Sequence, residues 1–354
     1  MPSWGALAMS IAPTMSAEII PLPIRDEGQA PPTLDPMLSL TAAGMNAVNT
    51  VILERMQSEI PLIPALAGHL IAGGGKRLRP MLTLAGAELV GYSGNRHHKL
   101  AAAVEFIHTA TLLHDDVVDG SELRRGKTAA NIVFGNPATV LVGDFLFSRA
   151  FELMTEDGSL KVLRILSGAS AIIAEGEVDQ LTAQRQIETS EERYLSIIGA
   201  KTAALFAAAS RISAVVAEAG ERAEQALDDY GRNLGIAFQL VDDAIDYDSD
   251  AEQMGKDRGD DFREGKMTLP VILAYARGSE EERRFWKHAI AGHRSEGDLE
   301  RAISLIARYD AVHDTRERAR HFAARAIDAI SIFPGGSARD AMGEAAEFAV
   351  ARGY

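Results

Sequence analysis

From Leu38 to the end of the chain, apolar residues recur at spacings of three and four, and sustained period-two alternation is hard to find. That pattern predicts α-helices that each bury one face. The helical runs are rich in Ala and are interrupted by "AGGGKRLRP", "GYSGNRHH", "FGNPAT", "EDGS" and "FPGGS", whose Gly, Pro and Asn mark turns. Residues 1–36 carry scattered Pro without periodicity and are expected to form a mobile leader. No long polar linker follows, so residues 37–354 are expected to form a single all-α domain.

One predicted helix, "AAAVEFIHTATLLHDDVVDG", is apolar on nearly every side, which marks it as buried in a bundle, with Gly120 as its stop. Asp115 and Asp119 at its end stand one turn apart on the same face, with Asp116 beside them. Carboxylates there repel one another and also meet the negative pole of the helix, at a cost of about 0.3–1 kcal/mol per exposed charge. Something positive should compensate them. The motif returns 127 residues later in "YGRNLGIAFQLVDDAIDYDSD", where Asp242 and Asp246 are again one turn apart and Gln239 lies on the same stripe. Two such helix ends are expected to face each other across a cavity.

Composition narrows the chemistry. The chain has 354 residues, 47% of them hydrophobic and 6% aromatic, enough to bury a full core. It has no Cys, which excludes disulfides and thiolate metal sites and suits a reducing cytoplasm. A net charge of −14 argues against nonspecific nucleic-acid binding. No apolar run is read as long enough to span a bilayer. The opening "MPSWGALAMSIAP" lacks the basic start of a secretory signal and is expected to be an unprocessed tail or an over-extended start.

A hard cation that prefers oxygen ligands and shares them with substrate phosphates would supply the missing charge, and Mg²⁺ fits a DDxxD pair. A single such pair would more often be a solvated helix end; two copies, each closing an apolar helix, favour the metal. The basic residues cluster beside them. Lys76, Arg77 and Arg79 precede Pro80, which is expected to open a helix, and Arg124, Arg125 and Lys127 follow the first acidic motif. Helix N-termini and arginine forks bind phosphate. Either cluster alone could be a solvated loop; in an acidic chain, beside metal candidates, the pair points to two diphosphate sites.

In order, "GGGKRLRP", "FIHTATLLHDDVVDGSELRRGK", "GAKTAALF", "LGIAFQLVDDAIDY" and "GKDRGDDFREGKMTLP" resemble the motif series of the trans-polyprenyl diphosphate synthases, over most of residues 40–350. The likeness is greatest to the long-chain bacterial octaprenyl to decaprenyl group, which makes quinone side chains. It implies an all-α isoprenoid-synthase bundle around a central cavity, usually a homodimer. It also implies a Mg²⁺-assisted reaction in which isopentenyl diphosphate attacks the carbocation of an allylic diphosphate such as farnesyl diphosphate, with about three Mg²⁺ per site.

Residue by residue, the resemblance assigns the metals to Asp115, Asp119 and Asp242, with Asp246 as a further ligand. Lys76, Arg79, His108 and Arg125 match isopentenyl diphosphate contacts. Arg124, Lys201, Thr202, Gln239, Lys256 and Lys266 match allylic diphosphate contacts, and Asp115, Asp119, Asp242, Lys201 and Arg124 form the catalytic set. Asp243, Asp260 and Asp261 are expected to assist through water. Read without the family, His108 would pass as a core histidine, Lys201 as a helix lysine with its head in water, and Gln239 as a structural amide. Lys256 and Lys266 bracket a glycine-rich lid.

In that family, side chains one turn before the first acidic motif meet the growing tail. Here they are Ala110 and Thr111, both small, which predicts a long product; Ala110 is equally explained by close helix packing. Phe147 and Phe151 are candidates for a deeper floor. Three rivals remain at this stage. A terpene cyclase would need no isopentenyl site, a noncatalytic partner subunit usually loses the acidic residues, and a helical scaffold leaves the paired anion sites unexplained. The expected product also implies transient membrane contact, although no basic amphipathic anchor stands out.

Overall fold

The computed structural model describes residues 30–72, 75–124, 126–248 and 258–352. Residues 1–29 of the expected leader lie outside these. The chain joins the fold slightly earlier than its periodicity indicates: the Thr33 N–H donates to Glu344 Oε1 at 3.0 Å, and Leu34 and Met37 are buried.

The first half runs through α1 (Asp35–Arg55), α2 (Leu62–Ala72), α3 (Leu78–Leu89), α4 (Arg96–Val118), a hairpin of β1 (Leu123–Arg124) and β2 (Lys127–Thr128), α5 (Ala130–Phe134), α6 (Asn136–Asp157) and α7 (Leu160–Ala183). The second half runs through α8 (Glu191–Ile198), a π-helical turn (Gly199–Ala203), α9 (Ala204–Val216), α10 (Glu221–Ile245), α11 (Asp260–Glu264), α12 (Leu269–Arg277), α13 (Glu280–Ile290), α14 (Asp298–Arg308), α15 (Ala311–Ala329) and α16 (Ser337–Ala351). The all-α expectation holds apart from the hairpin, which pairs Leu123 with Thr128 and Arg124 with Lys127. Two residues per strand are too few to leave an alternation in the sequence.

Two apolar cores hold the bundle. One gathers α10, α12, α15 and α16 around Leu234, Trp286 and Met342; the other gathers α1, α4, α6 and α7 around Phe106, Leu146 and Leu166. The α9 helix serves both, turning Phe206 to the first and Leu205 and Ile212 to the second. It packs against α4 on one side and α10 on the other. The ends of α4 and α10 carry the two acidic motifs.

The approach of α10 to α9 depends on glycine. A Cβ on Gly231 would lie 2.3 Å from Phe206 O, and one on Gly235 would lie 2.6 Å from Ala203 Cα. Gln239 follows one turn later on the same stripe, so this backbone contact also delivers it to the π turn. Gly231→Ala is expected to destabilise the fold by about 1–3 kcal/mol or more, because a backbone carbonyl cannot yield as a side chain can. Calorimetry checks this, with Gly343→Ala as control, where a Cβ meets nothing within 4 Å.

Two expectations need correction. Pro80 is the third residue of α3 rather than its opener, and Arg77 caps the helix in a left-handed conformation at φ 48°. Proline is tolerated there because the first-turn N–H groups have no partner inside the helix. Two helical segments, Asp35–Arg55 and Glu191–Val216, are long and apolar enough to span a membrane, with mean hydropathy of 1.2 and 1.3. Their many Ala, Ile and Val residues dilute the charges that broke up the apolar runs. The second is a core element, with 67% of its apolar window buried.

Candidate active site

Asp115 lies at the last turn of α4, and Asp119 caps it, its N–H donating to Asp115 O at 2.8 Å. Gly120, at φ 65°, ends the helix as expected. Burial pushes the Asp115 carboxyl up from its ordinary value; Lys201 pulls it back, and the charge of Asp119 pushes it up again. Lys201 Nζ stands 3.6 Å from Asp115 Oδ2. Its nearer partner is a residue the sequence did not single out: Lys201 donates to Glu177 Oε2 at 2.8 Å. Glu177 is itself pushed up by burial, against the pull of Lys201.

The middle carboxylate of the first motif does something else. Asp116 is 2% exposed and accepts from Arg124 Nε at 2.8 Å and from Arg124 Nη2, while its backbone O accepts from Asn131 Nδ2 at 3.0 Å. It fixes the arginine of the hairpin against α4.

On the second wall, Asp242 is partly exposed, whereas Asp243 is buried. Tyr194 OH donates to Asp243 Oδ2 at 2.6 Å, Gln239 Nε2 donates to Asp243 Oδ1 at 2.8 Å, and Thr202 Oγ1 donates to Gln239 Oε1 at 2.8 Å. Burial and the nearby Asp261 push the Asp243 carboxyl up to about 8, against the two hydrogen bonds. Asp243 is therefore an internal brace rather than a water-bridged helper. The π turn inserts one extra residue into the helix and so brings Lys201 and Thr202 into the site.

Asp246 is also buried. Its Oδ1 and Oδ2 accept the N–H groups of Asp260 and Asp261, each at 3.2 Å, and so cap α11. Asp260 pairs with Arg263 at 2.6 Å, and both side chains are about half exposed. Lys266 follows α11 and reaches Asp119 Oδ2 at 3.6 Å, Asp261 Oδ1 at 4.0 Å and, closest of all, Glu264. Burial alone would lower the Lys266 ammonium, but Asp261, Asp119 and Glu264 outweigh it and hold it well above its ordinary value.

The basic group assembles beside α4. Arg79 Nη1 donates to His108 Nε2 at 2.9 Å. An arginine can only donate, so the ring accepts there and carries its proton on Nδ1. The Arg79 guanidinium also stacks over Phe206, 4.5 Å from the ring centre. Lys76 sits over Phe348 at 4.4 Å, and burial followed by the neighbouring Arg352 lowers its ammonium. Nothing in the spacing of the motifs signals that Arg352 of the distant C-terminus approaches Lys76. Arg125 and Lys256 lie outside the described residues.

Of the two positions expected to meet the tail, Ala110 is sealed in the α4 core while Thr111 keeps some exposure, its Oγ1 donating to His108 O at 2.7 Å. Phe147 packs with His114 against the core, but Phe151 is 44% exposed on the outside of α6, which removes it from any inner floor of this chain.

Among the described residues, no three carboxylate or imidazole groups converge closely enough to cage a metal by themselves. The donor set nevertheless suits a hard cation. It is all oxygen, and burial raises Asp115, whose ionised form a positive charge would stabilise. A cation that completes its shell with diphosphate and water needs only one or two carboxylates from each wall.

A family model described as polyprenyl synthetase matches residues 60–306. Octaprenyl diphosphate synthase of Escherichia coli (strain K12) is 47% identical over 319 residues, covering 90% of this chain and 99% of that relative. A solved structure of polyprenyl synthase from Caulobacter crescentus CB15, complexed with calcium and isoprenyl diphosphate, is 53% identical with a TM-score of 0.88, covering 92% of this chain and 99% of that one. A decaprenyl diphosphate synthase from Rhodobacter capsulatus is 50% identical with a TM-score of 0.87, covering 90% and 99% respectively.

Proposed function

The chain belongs to the polyprenyl synthetase family, and from that premise we propose how its own residues lengthen a polyprenyl chain. It is a prenyltransferase with the isoprenoid-synthase helical bundle, a long-chain trans-polyprenyl diphosphate synthase that condenses isopentenyl diphosphate onto an allylic diphosphate.

Asp115, Asp119 and Asp242 hold the divalent cations, Mg²⁺ in the cell, about three per site as in the family. Asp246 is a further ligand, since each of its oxygens accepts one backbone N–H and keeps a lone pair. Bound there, the cations supply Lewis acidity and fixed positive charge to the departing diphosphate. Arg124, held by Asp116 through Nε and Nη2, offers its remaining N–H donors to the allylic diphosphate. Lys201 and Lys266 add ammonium charge, and Lys256 joins them. Thr202 and Gln239, joined by a hydrogen bond, contact the allylic diphosphate. Lys76, Arg79, His108 and Arg125 hold isopentenyl diphosphate so that its double bond faces the ionising carbon. The calcium and isoprenyl diphosphate of the Caulobacter crescentus structure support this reading.

The single observation that carries it is the reach of Lys266, 3.6 Å from Asp119 and 4.0 Å from Asp261, whose N–H donates to Asp246, so that α11 links the acidic ends of α4 and α10. The test is purified protein with Mg²⁺, farnesyl diphosphate and radiolabelled isopentenyl diphosphate. Products of octaprenyl to decaprenyl length are expected. No elongation by the protein alone would instead favour a noncatalytic partner subunit. Use of the product for quinone side chains, cytoplasmic location and brief membrane contact at product release belong to the same reading.

The α6 and α7 helices carry exposed apolar side chains, with Leu141 at 66%, Phe151 at 44%, Ile172 at 45% and Val178 at 62%. A second copy of the chain is the occupant we infer for this face, forming the family's homodimer. Leu141→Glu is expected to shift the species in solution from dimer to monomer, read by light scattering.

A further inference from the structure

Each aspartate of the first wall has a lysine 3.6 Å away, and each of those lysines has a closer glutamate. Lys201 Nζ lies 3.6 Å from Asp115 but 2.8 Å from Glu177; Lys266 Nζ lies 3.6 Å from Asp119 but is closer to Glu264. Lysine is a compact charge on a flexible stem and settles on the nearest anion. Each lysine already shares a loose ion pair with its aspartate, and with its glutamate removed it would need to move less than about an ångström to close that pair to direct contact. That pair would neutralise the carboxylate meant for a cation.

The placement of Glu177 is built in. A Cβ on the preceding Gly176 would lie 2.7 Å from Ala200 Cβ and 3.1 Å from Lys201 N. Only glycine there lets α7 come close enough to the π turn for Glu177 to reach Lys201. Glu177 is half-buried, with 25% of its side chain exposed against 23% for Lys201.

We propose that Glu177 is a positioning residue that draws the Lys201 ammonium toward itself and away from close contact with Asp115, and thereby keeps that aspartate available to a divalent cation, with Glu264 doing the same for Lys266 and Asp119. This rests on the reading of Asp115 and Asp119 as cation ligands. Neither glutamate touches substrate; both act through a lysine.

The experiment is a Mn²⁺ titration of the full-length protein at one fixed concentration of inorganic pyrophosphate, with bound Mn²⁺ read by electron paramagnetic resonance. Glu177→Gln should raise the half-saturating Mn²⁺ concentration about tenfold. The effect should vanish in a Lys201→Met background, where no ammonium remains to fall onto Asp115. An equal effect of Glu177→Gln with and without Lys201 would overturn the proposal, because Glu177 would then act by its own charge or by packing. Asp115→Asn separates the two levels: if it leaves Mn²⁺ binding unchanged, the ligand reading itself fails. If it weakens binding while Glu177→Gln does not, the positioning role alone fails. Thermal midpoints of all four proteins verify that they are folded.

Discussion

Asp115→Asn is expected to lower kcat/KM by about a thousandfold, equivalent to roughly 4 kcal/mol of lost transition-state stabilisation, the scale of charge stabilisation by a bound metal. The side chain is nearly isosteric, so geometry survives while the anion is lost. Lys201 then pairs with Glu177 alone, since its other carboxylate at 3.6 Å is gone. The fold should not suffer. Burial raises the Asp115 carboxyl above its ordinary value, so its ionised form is less favourable in the folded than in the unfolded chain. The sign follows: this group favours folding most below its unfolded pKa and loses that contribution as pH rises through its raised folded pKa. At neutral pH the variant is therefore expected to be at least as stable as the parent, and the gap should narrow as pH falls toward the carboxylate range. Denaturant melts at neutral and acidic pH check the stability, and steady-state kinetics check the rate. An unfolded variant, or one with near-parental kcat/KM, would remove Asp115 from the centre of the reaction.

What could be read from the sequence was whatever repeats within one helix. Asp115 and Asp119, Asp242 and Gln239, and His108 two turns upstream all share faces at helical spacing, so their grouping was visible before any fold was known. Contacts across helices left no such trace. Glu177 meets Lys201 across 24 residues, Tyr194 meets Asp243 across 49, and Arg352 meets Phe238 across 114. The π turn was hidden for another reason: one extra residue in a helix changes its hydrogen-bond register without changing its composition. Spacing also hid how differently Asp246 is held. It repeats the place of Asp119 in the motif, yet α11 offers Asp246 two backbone N–H groups. Asp119 has a glycine turn and hairpin after it instead, and its carboxylate stays in the cleft near Lys266.

Thr111→Phe is expected to shorten the product from the octaprenyl to decaprenyl range to a few isoprene units with little loss of stability, whereas Ala110→Tyr should be costly to the fold. The two positions looked alike in sequence, both small and both one turn before the acidic motif. Helix geometry separates them. Thr111 is four residues before Asp115 and so lies beneath it on the same face, while Ala110, five residues before, turns well away. Burial agrees: Ala110 is 0% exposed within a core that includes Leu113, Leu146 and Ala150, and Thr111 retains accessible surface. Thr111 is not sealed in the core, so a ring there is expected to project into the path of a tail that grows from Asp115. A ring at Ala110 must displace packed side chains, at about 1–3 kcal/mol or more. The loss of the Thr111 hydroxyl matters little, because it only donates back to His108 O. Reversed-phase chromatography of radiolabelled products, paired with thermal melts, reads both outcomes. A stable Thr111→Phe enzyme that still makes the full-length product would mean that the tail leaves the aspartate wall by another face of α4.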